Sequence, residues 1–399
     1  GGKLRPATGG EVCDAGAGKV KATTPERVGV SAGDLQDAES MKAAKDLFGG
    51  FGVASLDCRQ DGMVLGHGQR ESWLLNSSIQ GLEDADVILI VGSNPRLEAP
   101  VLNARLRKRW MAGTLQAGLI GEAVDLTYDY EHLGAGPAAL GALGKSKGAF
   151  LQALKAAKSP AIILGAGALG RADSAAVLQA AAGVAKTYGM TWNVLHTAAG
   201  RVGGLDLGFV PGEGGKTAAQ LAAKGGADVL VLLGADEIDV SKSDAFVVYL
   251  GTHGDAGAHR ADVILPGAAY TEKNGLYVNT EGRVQLGMRA VFPKGEAKED
   301  WAILRALSER MGAKLPYDTL DQLRAKLFAD HPTFGRIDYV PDTPASVDLG
   351  SLGAKGTLSD APLSSGLKSF YLSNPIARAS VTMAECASLA AGTAKMAAE

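Results

Sequence analysis

The chain has 399 residues, 46% of them hydrophobic and 21% charged. That is ordinary globular composition, and too long for one core, since domains seldom exceed about 250–300 residues. Forty Lys and Arg stand against 43 Asp and Glu, a formal charge of -3, which excludes the basic footprint of a nucleic-acid binder. No apolar run approaches the roughly 20 residues of a membrane span, and no signal-peptide pattern occurs. The start, Gly1-Gly2-Lys3, reads as a fragment or a processed chain. Cys13, Cys58 and Cys386 are far apart and form no CxxC. That argues against a disulfide framework and against an iron–sulfur cluster held by this chain alone. The six histidines include no HxxxH pair, so a zinc site is not expected.

Residues 1–19 carry Gly9, Gly10, Gly16 and Gly18, each costing a helix about 1 kcal/mol relative to Ala, and a poorly ordered start is expected. Arg27–Val30 reads as a strand, Ser31-Ala32-Gly33 as its turn, and Asp34 as the N-cap of the next helix. Gly29-Val30-Ser31-Ala32-Gly33 matches GxSxG, the form of a hydrolase nucleophile elbow, but a tight strand-to-helix turn needs the same small residues. Val53–Asp57 is a short strand, followed by Cys58, the one candidate thiol for a metal; a buried Cys is commonly just a small hydrophobe. Ala85–Val91 is a continuous apolar run, as a central parallel strand requires. It ends at Gly92-Ser93-Asn94-Pro95. A helix begins near Pro100, with Leu102, Leu106 and Trp110 on one face. Arg105, Arg107, Lys108 and Arg109 crowd the others, either a solvated surface or a docking face for an acidic partner. Another strand and turn fall within Leu115–Leu126, and His132 reads as a structural histidine.

Ala161–Leu164 is a strand followed by Gly165, Gly167 and Gly170 in GxGxxG form. A nucleotide-binding version needs an acidic residue about 20 positions on, and none occurs from Ser174 to Leu205. Gly215-Lys216-Thr217 hints at a P-loop but lacks the first glycine, where Val210 stands. Ala227–Leu233 repeats the apolar strand design, and Phe246–Leu250 is a further strand. His253, Asp255 and His259 share a Gly-rich loop, which offers no fixed ligand geometry for a metal. The stretch 261–285, ADVILPGAAYTEKNGLYVNTEGRVQ, opens as a strand and turns into a polar loop ending on Asn279, Thr280, Glu281, Gly282 and Arg283. Such a loop at a strand's carboxyl end is where an open parallel sheet presents ligand-contacting groups. Glu281 and Arg283 would grip an anion or simply pair with neighbours. Glu299-Asp300-Trp301 starts an amphipathic helix. After Pro341 the chain turns rich in Ser, Gly, Ala and Leu, an extended arm that closes with a helix capped by Asn374 with Pro375 first.

Several of these stretches carry a resemblance. LPGAAYTEKNGLYVNTEGR at 265–283, Gly92-Ser93-Asn94-Pro95, Arg96-Leu97-Glu98-Ala99-Pro100 with Asn103-Ala104-Arg105, Asp125-Leu126-Thr127-Tyr128, and FYLSNPIARASVTMAE at 370–385 resemble the molybdopterin oxidoreductases. They resemble still more the molybdopterin-oxidoreductase-like C-terminal region of the large iron–sulfur subunit of NADH:quinone oxidoreductase, respiratory complex I. In that family this region has lost its molybdenum. The His of the Glu-x-His-Pro segment common in cofactor-bearing relatives is absent at Glu98-Ala99-Pro100.

The resemblance implies an α/β fold of two doubly wound, mostly parallel-sheet lobes of the molybdopterin-oxidoreductase type. One lobe would combine 1–45 with 215–300 and the other span 50–210, with a helical stretch at 301–340 and an arm and final helix at 341–399. It implies a structural part of complex I's peripheral arm, on the cytoplasmic face of a bacterial inner membrane or the matrix face of the mitochondrial one. The chain would have no catalytic site, metal, resident cofactor or small-molecule substrate of its own, and no direct membrane insertion. Its partners would be other peripheral-arm subunits. The 2Fe-2S and 4Fe-4S clusters would belong to an N-terminal region of the parent subunit, within an enzyme that translocates protons. A vestigial pocket is expected at Gly92, Ser93, Asn94, Asn279, Glu281 and Arg283. The alternatives are a working molybdopterin oxidoreductase of the formate-dehydrogenase kind, and a stand-alone Rossmann-type enzyme or hydrolase.

Overall fold

The computed structural model describes residues 4–66, 68–340 and 347–398. The expected change of character after Pro341 falls at the edge of a stretch, 341–346, outside the described residues. Two five-stranded sheets, parallel throughout, form the frame. The strands are β1 (Val28–Ala32), β2 (Ser55–Asp57), β3 (Val87–Val91), β4 (Gln116–Ile120), β5 (Glu131–Gly134), β6 (Pro160–Leu164), β7 (Thr191–Val194), β8 (Val229–Leu233), β9 (Phe246–Gly251) and β10 (Val263–Pro266). The first sheet runs β10-β9-β8-β1-β2 and the second β5-β4-β3-β6-β7. Every residue of β3, β6 and β8 is buried, which is why these strands read as unbroken apolar runs. An antiparallel hairpin, β11 (Gly275–Val278) and β12 (Val284–Gly287), completes the strands among the described residues.

Strand order reverses between β1 and β8 in the first sheet and between β3 and β6 in the second. In open α/β sheets a crevice opens at the carboxyl ends of the strands at such a point. The second strand of the first sheet comes from within 50–210, the range expected to build the other lobe. The helix Ala38–Gly50 carries the chain back beside β1, so β2 pairs there in parallel, as a βαβ unit does.

The start of the chain differs from expectation. Gly9–Lys21 is a helix despite four glycines, because Thr8 and Glu11 form a capping box and Cys13, Ala17 and Val20 are buried. The cap of the next helix is Asp37, not Asp34: its carboxylate accepts from the Ser40 amide at 2.8 Å. The helices Asp300–Met311 and Leu320–Asp330 join this layer. The second of them is tied to Ala38–Gly50 by Arg324–Glu39 and Lys42–Asp330, both at 2.8 Å. The final helix is two helices. Asn374 caps only Pro375–Arg378, accepting from the Ala377 amide at 2.9 Å. Ser380 then accepts from the Met383 amide and starts Val381–Ala398.

Candidate functional site

The second sheet's crevice is bounded by the turns after β3, β4 and β6. Gly92 follows β3 with φ +60, and a Cβ there would meet the Ala168 amide nitrogen at 2.4 Å. Ser93 Oγ donates to Glu98 at 2.8 Å and the Asn94 amide donates to the same carboxylate at 3.0 Å. Glu98 therefore turns back on the loop that precedes it. Gly167 of the GxGxxG turn faces Gly92: a Cβ on Gly167 would lie 2.6 Å from the Gly92 carbonyl oxygen and 1.8 Å from that of Ser364.

That second contact comes from the C-terminal arm, which lies in the crevice. Leu363 is buried, its amide donates to the Ala135 carbonyl at 2.8 Å, and its carbonyl accepts from the Glu122 amide at 3.1 Å. Ser365 Oγ donates to Glu98 at 2.6 Å, and Arg171 donates to the carbonyls of Ala361 and Pro362 at 3.2 Å. The fold family implies a pterin-dinucleotide cofactor at such a crevice, and the residues here do not fit one. The glycine that would let a pyrophosphate approach the backbone instead admits the arm's own carbonyl. Arg171, just past this turn, is already engaged by Asp173 and by the arm.

The other expected residues, Asn279, Glu281 and Arg283, form the tip of the β11–β12 hairpin. Asn279 Oδ1 accepts from the amides of Glu281 and Arg283 at 3.1 and 2.9 Å, and Glu281 pairs with Arg283 at 3.2 Å. Glu281 also accepts from the Ile79 amide at 2.8 Å, and Thr280 Oγ1 donates to the Val194 carbonyl at 3.1 Å. The tip is thus pinned to the end of β7 and to residues 75–79, while Ser93 and Asn94 bind Glu98, which also accepts from Ser365 of the arm. The two triplets serve separate networks. The hairpin itself escaped the sequence reading; its signal was the Asn-Thr-Glu-Gly turn between Val278 and Val284.

At the first sheet's crevice Gly33 meets the turn after β8, where a Cβ would lie 1.7 Å from the Gly234 carbonyl. Beside it lies an ionic cluster that sequence reasoning missed. Lys273, 4% exposed, reaches Asp37 at 2.7 Å and Asp300 at 2.8 Å. Burial opposes its charge, but Asp300 and Asp37 outweigh burial and hold its pKa well above the usual lysine range. Glu39, fully buried, has its pKa pushed up to about 7 by burial and by Asp37. Pro375 and Ile376 of the arm line a cavity of about 40 Å³ together with Gln36, Lys273 and Asp300. Arg378 fastens the arm there by pairing with Glu237 at 2.9 Å and with Asp255.

The remaining candidates take structural positions. Ser31 is buried inside β1, opposite Asp57 and Leu232, not exposed on a turn, so GxSxG builds no elbow. Gly29 is needed because a Cβ would strike Leu221 at 2.4 Å. Cys58 is buried, and burial pushes its thiol up to about 12. His132 Nε2 bonds the Gly121 carbonyl at 2.8 Å. Asp255 of the Gly-rich loop is taken by Arg378. No group of three or more His, Cys, Asp or Glu among the described residues could hold a metal ion. In the basic cluster, Arg105 and Lys108 both pair with Glu83.

A fold of two five-stranded parallel sheets, each with a switch point, defines a class, and comparison with known families places the chain in it. The chain belongs to the molybdopterin oxidoreductase family, whose model matches residues 1–310. Residues 340–386 match a second model, that of the C-terminal part of an NADH-ubiquinone oxidoreductase subunit. The chain is 41% identical to the NADH dehydrogenase [ubiquinone] iron-sulfur protein 1, mitochondrial, of Solanum tuberosum, over 92% of this chain and 50% of that one. It is 42% identical to the NADH-ubiquinone oxidoreductase 78 kDa subunit of Neurospora crassa (89% of this chain, 49% of that one) and 43% identical to that of Candida albicans (90% and 51%). The chain thus spans about half the length of these relatives. Among solved structures, acetylene hydratase from Pelobacter acetylenicus shares the fold with a TM-score of 0.60 at 14% identity, over 94% of this chain and 66% of that one. The formyltransferase/hydrolase complex from Methylorubrum extorquens matches at 0.57 and 17%, over 77% and 97%.

Proposed function

We propose that this chain is a structural portion of an NADH:quinone oxidoreductase subunit, building the peripheral arm of complex I without performing redox chemistry itself. The observation that carries this reading is the 41–43% identity to complex I subunits over about nine-tenths of the chain. The iron–sulfur clusters that give the potato relative its name would belong to the part of the parent subunit outside this sequence. Proton translocation would be a property of the assembly. The partners would be neighbouring peripheral-arm subunits, on the matrix or the cytoplasmic side of the membrane according to host. No helix among the described residues is long and apolar enough to cross a membrane. The crevices support the structural role, because Ser93, Glu98, Arg171, Lys273 and Arg378 are bonded to one another, to neighbouring residues or to the arm.

The test is to tag the full-length parent protein in its own host and resolve membrane extracts by native electrophoresis. The tag is expected to migrate with NADH:quinone reductase activity, and loss of the protein is expected to remove that band. Migration only as a free chain, with the activity band intact in its absence, would overturn the proposal.

A further inference from the structure

We infer that the arm segment 359–378 is the resident ligand of both crevices, standing where a dinucleotide cofactor would stand, so that arm and cofactor exclude each other. The inference concerns the chain's own contacts and does not depend on the assembly it joins.

The residues of the arm are chosen for the place. Gly366 lies against Ala166, where a Cβ would approach the Ala166 Cβ to 2.5 Å. Leu363, 1% exposed, belongs to the buried apolar core. The arm's carbonyls take the donors: Arg171 bonds Ala361 and Pro362, and the Glu122 amide bonds Leu363. Ser365 meets the carboxylate of Glu98, the group that already holds Ser93 and Asn94. A few residues on, Pro375 and Ile376 line the 40 Å³ cavity of the first sheet, and Arg378 pairs with Glu237 and Asp255. A cavity of that size accommodates water, not a nucleotide. One segment therefore lines two switch-point crevices and ties the two sheets together. A dinucleotide at Gly92 and Gly167 would need the space that Ser364 occupies, which a backbone carbonyl 1.8 Å from a Cβ position leaves to nothing else.

Hydrogen exchange read by mass spectrometry on the whole protein tests this. In the wild type, amides of 359–367 are expected to exchange about a hundredfold or more slower than a free peptide. Leu363→Asp is expected to release 359–367 to near free-peptide exchange while 87–91 and 160–164 keep their protection. Should Leu363→Asp not fold, Arg171→Ala, which strips the arm of a partner from outside, is expected to raise exchange at 359–367 alone. The inference is overturned if 359–367 exchanges freely in the wild type or if its protection survives the substitutions. It is equally overturned if 87–91 and 160–164 lose protection together with the arm, which would make it part of the core and not an occupant of the crevice.

Discussion

The ammonium of Lys273 lies 2.8 Å from the carboxylate of Asp300, and each side chain is 4% exposed. Asp37 completes the cluster at 2.7 Å. Removing one member of a buried ionic set leaves the others uncompensated, at a cost of about 3–5 kcal/mol. Lys273→Met is therefore expected to lower unfolding free energy by that amount at neutral pH in urea titrations. The deficit should shrink as pH falls and the two stranded carboxylates take up protons.

Glu39 sets a pH dependence of its own. Its folded value, about 7, lies above the ordinary 4.5. Between those values the folded protein holds a proton the unfolded chain has released, so stability from this group is lost as pH rises from about 4.5 to about 7. Glu39→Gln cannot titrate. Melting measurements at pH 4.5 and pH 7.5 should show the variant gaining on the wild type at the higher pH; a constant or widening deficit would contradict the account.

Two glycines should respond in opposite directions. Gly18 sits on the exposed face of Gly9–Lys21 with nothing within 4 Å of a Cβ, so Gly18→Ala is expected to stabilise by up to about 1 kcal/mol. Gly33→Ala puts a methyl 1.7 Å from the Gly234 carbonyl, backbone against backbone at the first switch point. It is expected to cost about 3 kcal/mol or prevent folding, read as the denaturant midpoint or the soluble yield.

Arg378 fastens the arm over the first crevice through two partly exposed pairs. Such pairs contribute little each, so Arg378→Ala is expected to cost only about 1 kcal/mol globally. Its larger effect should be local. Limited proteolysis is expected to cut near 374–380 faster while the sheets stay intact.

The frame was legible where one physical demand dominates. Strands buried on both faces must be apolar throughout, and Val87–Val91 and Val229–Leu233 announced themselves that way. The turns after them announced themselves by glycine. What the sequence hid depends on partners distant in the chain. The glycine-bearing helix Gly9–Lys21 is held by burial against Asp300–Met311, which outweighs local propensity. Asp34 and Asp37 are equally good caps by type, and only the backbone turn chose Asp37. The cluster of Asp37, Lys273 and Asp300 joins residues separated by more than 200 positions. Of the expected pocket, Gly92, Ser93 and Asn94 sit at the crevice, whereas Asn279, Glu281 and Arg283 brace a hairpin. The arm was visible as a change in composition, but nothing in that composition says where it docks.

The most direct test of the account is the content of molybdenum, tungsten and pterin in the full protein purified from its own host. A chain whose crevices are filled by residues 359–378 should carry none of the three in stoichiometric amount. One pterin per chain, with or without metal, would contradict it, because the cofactor could be seated only with the arm displaced.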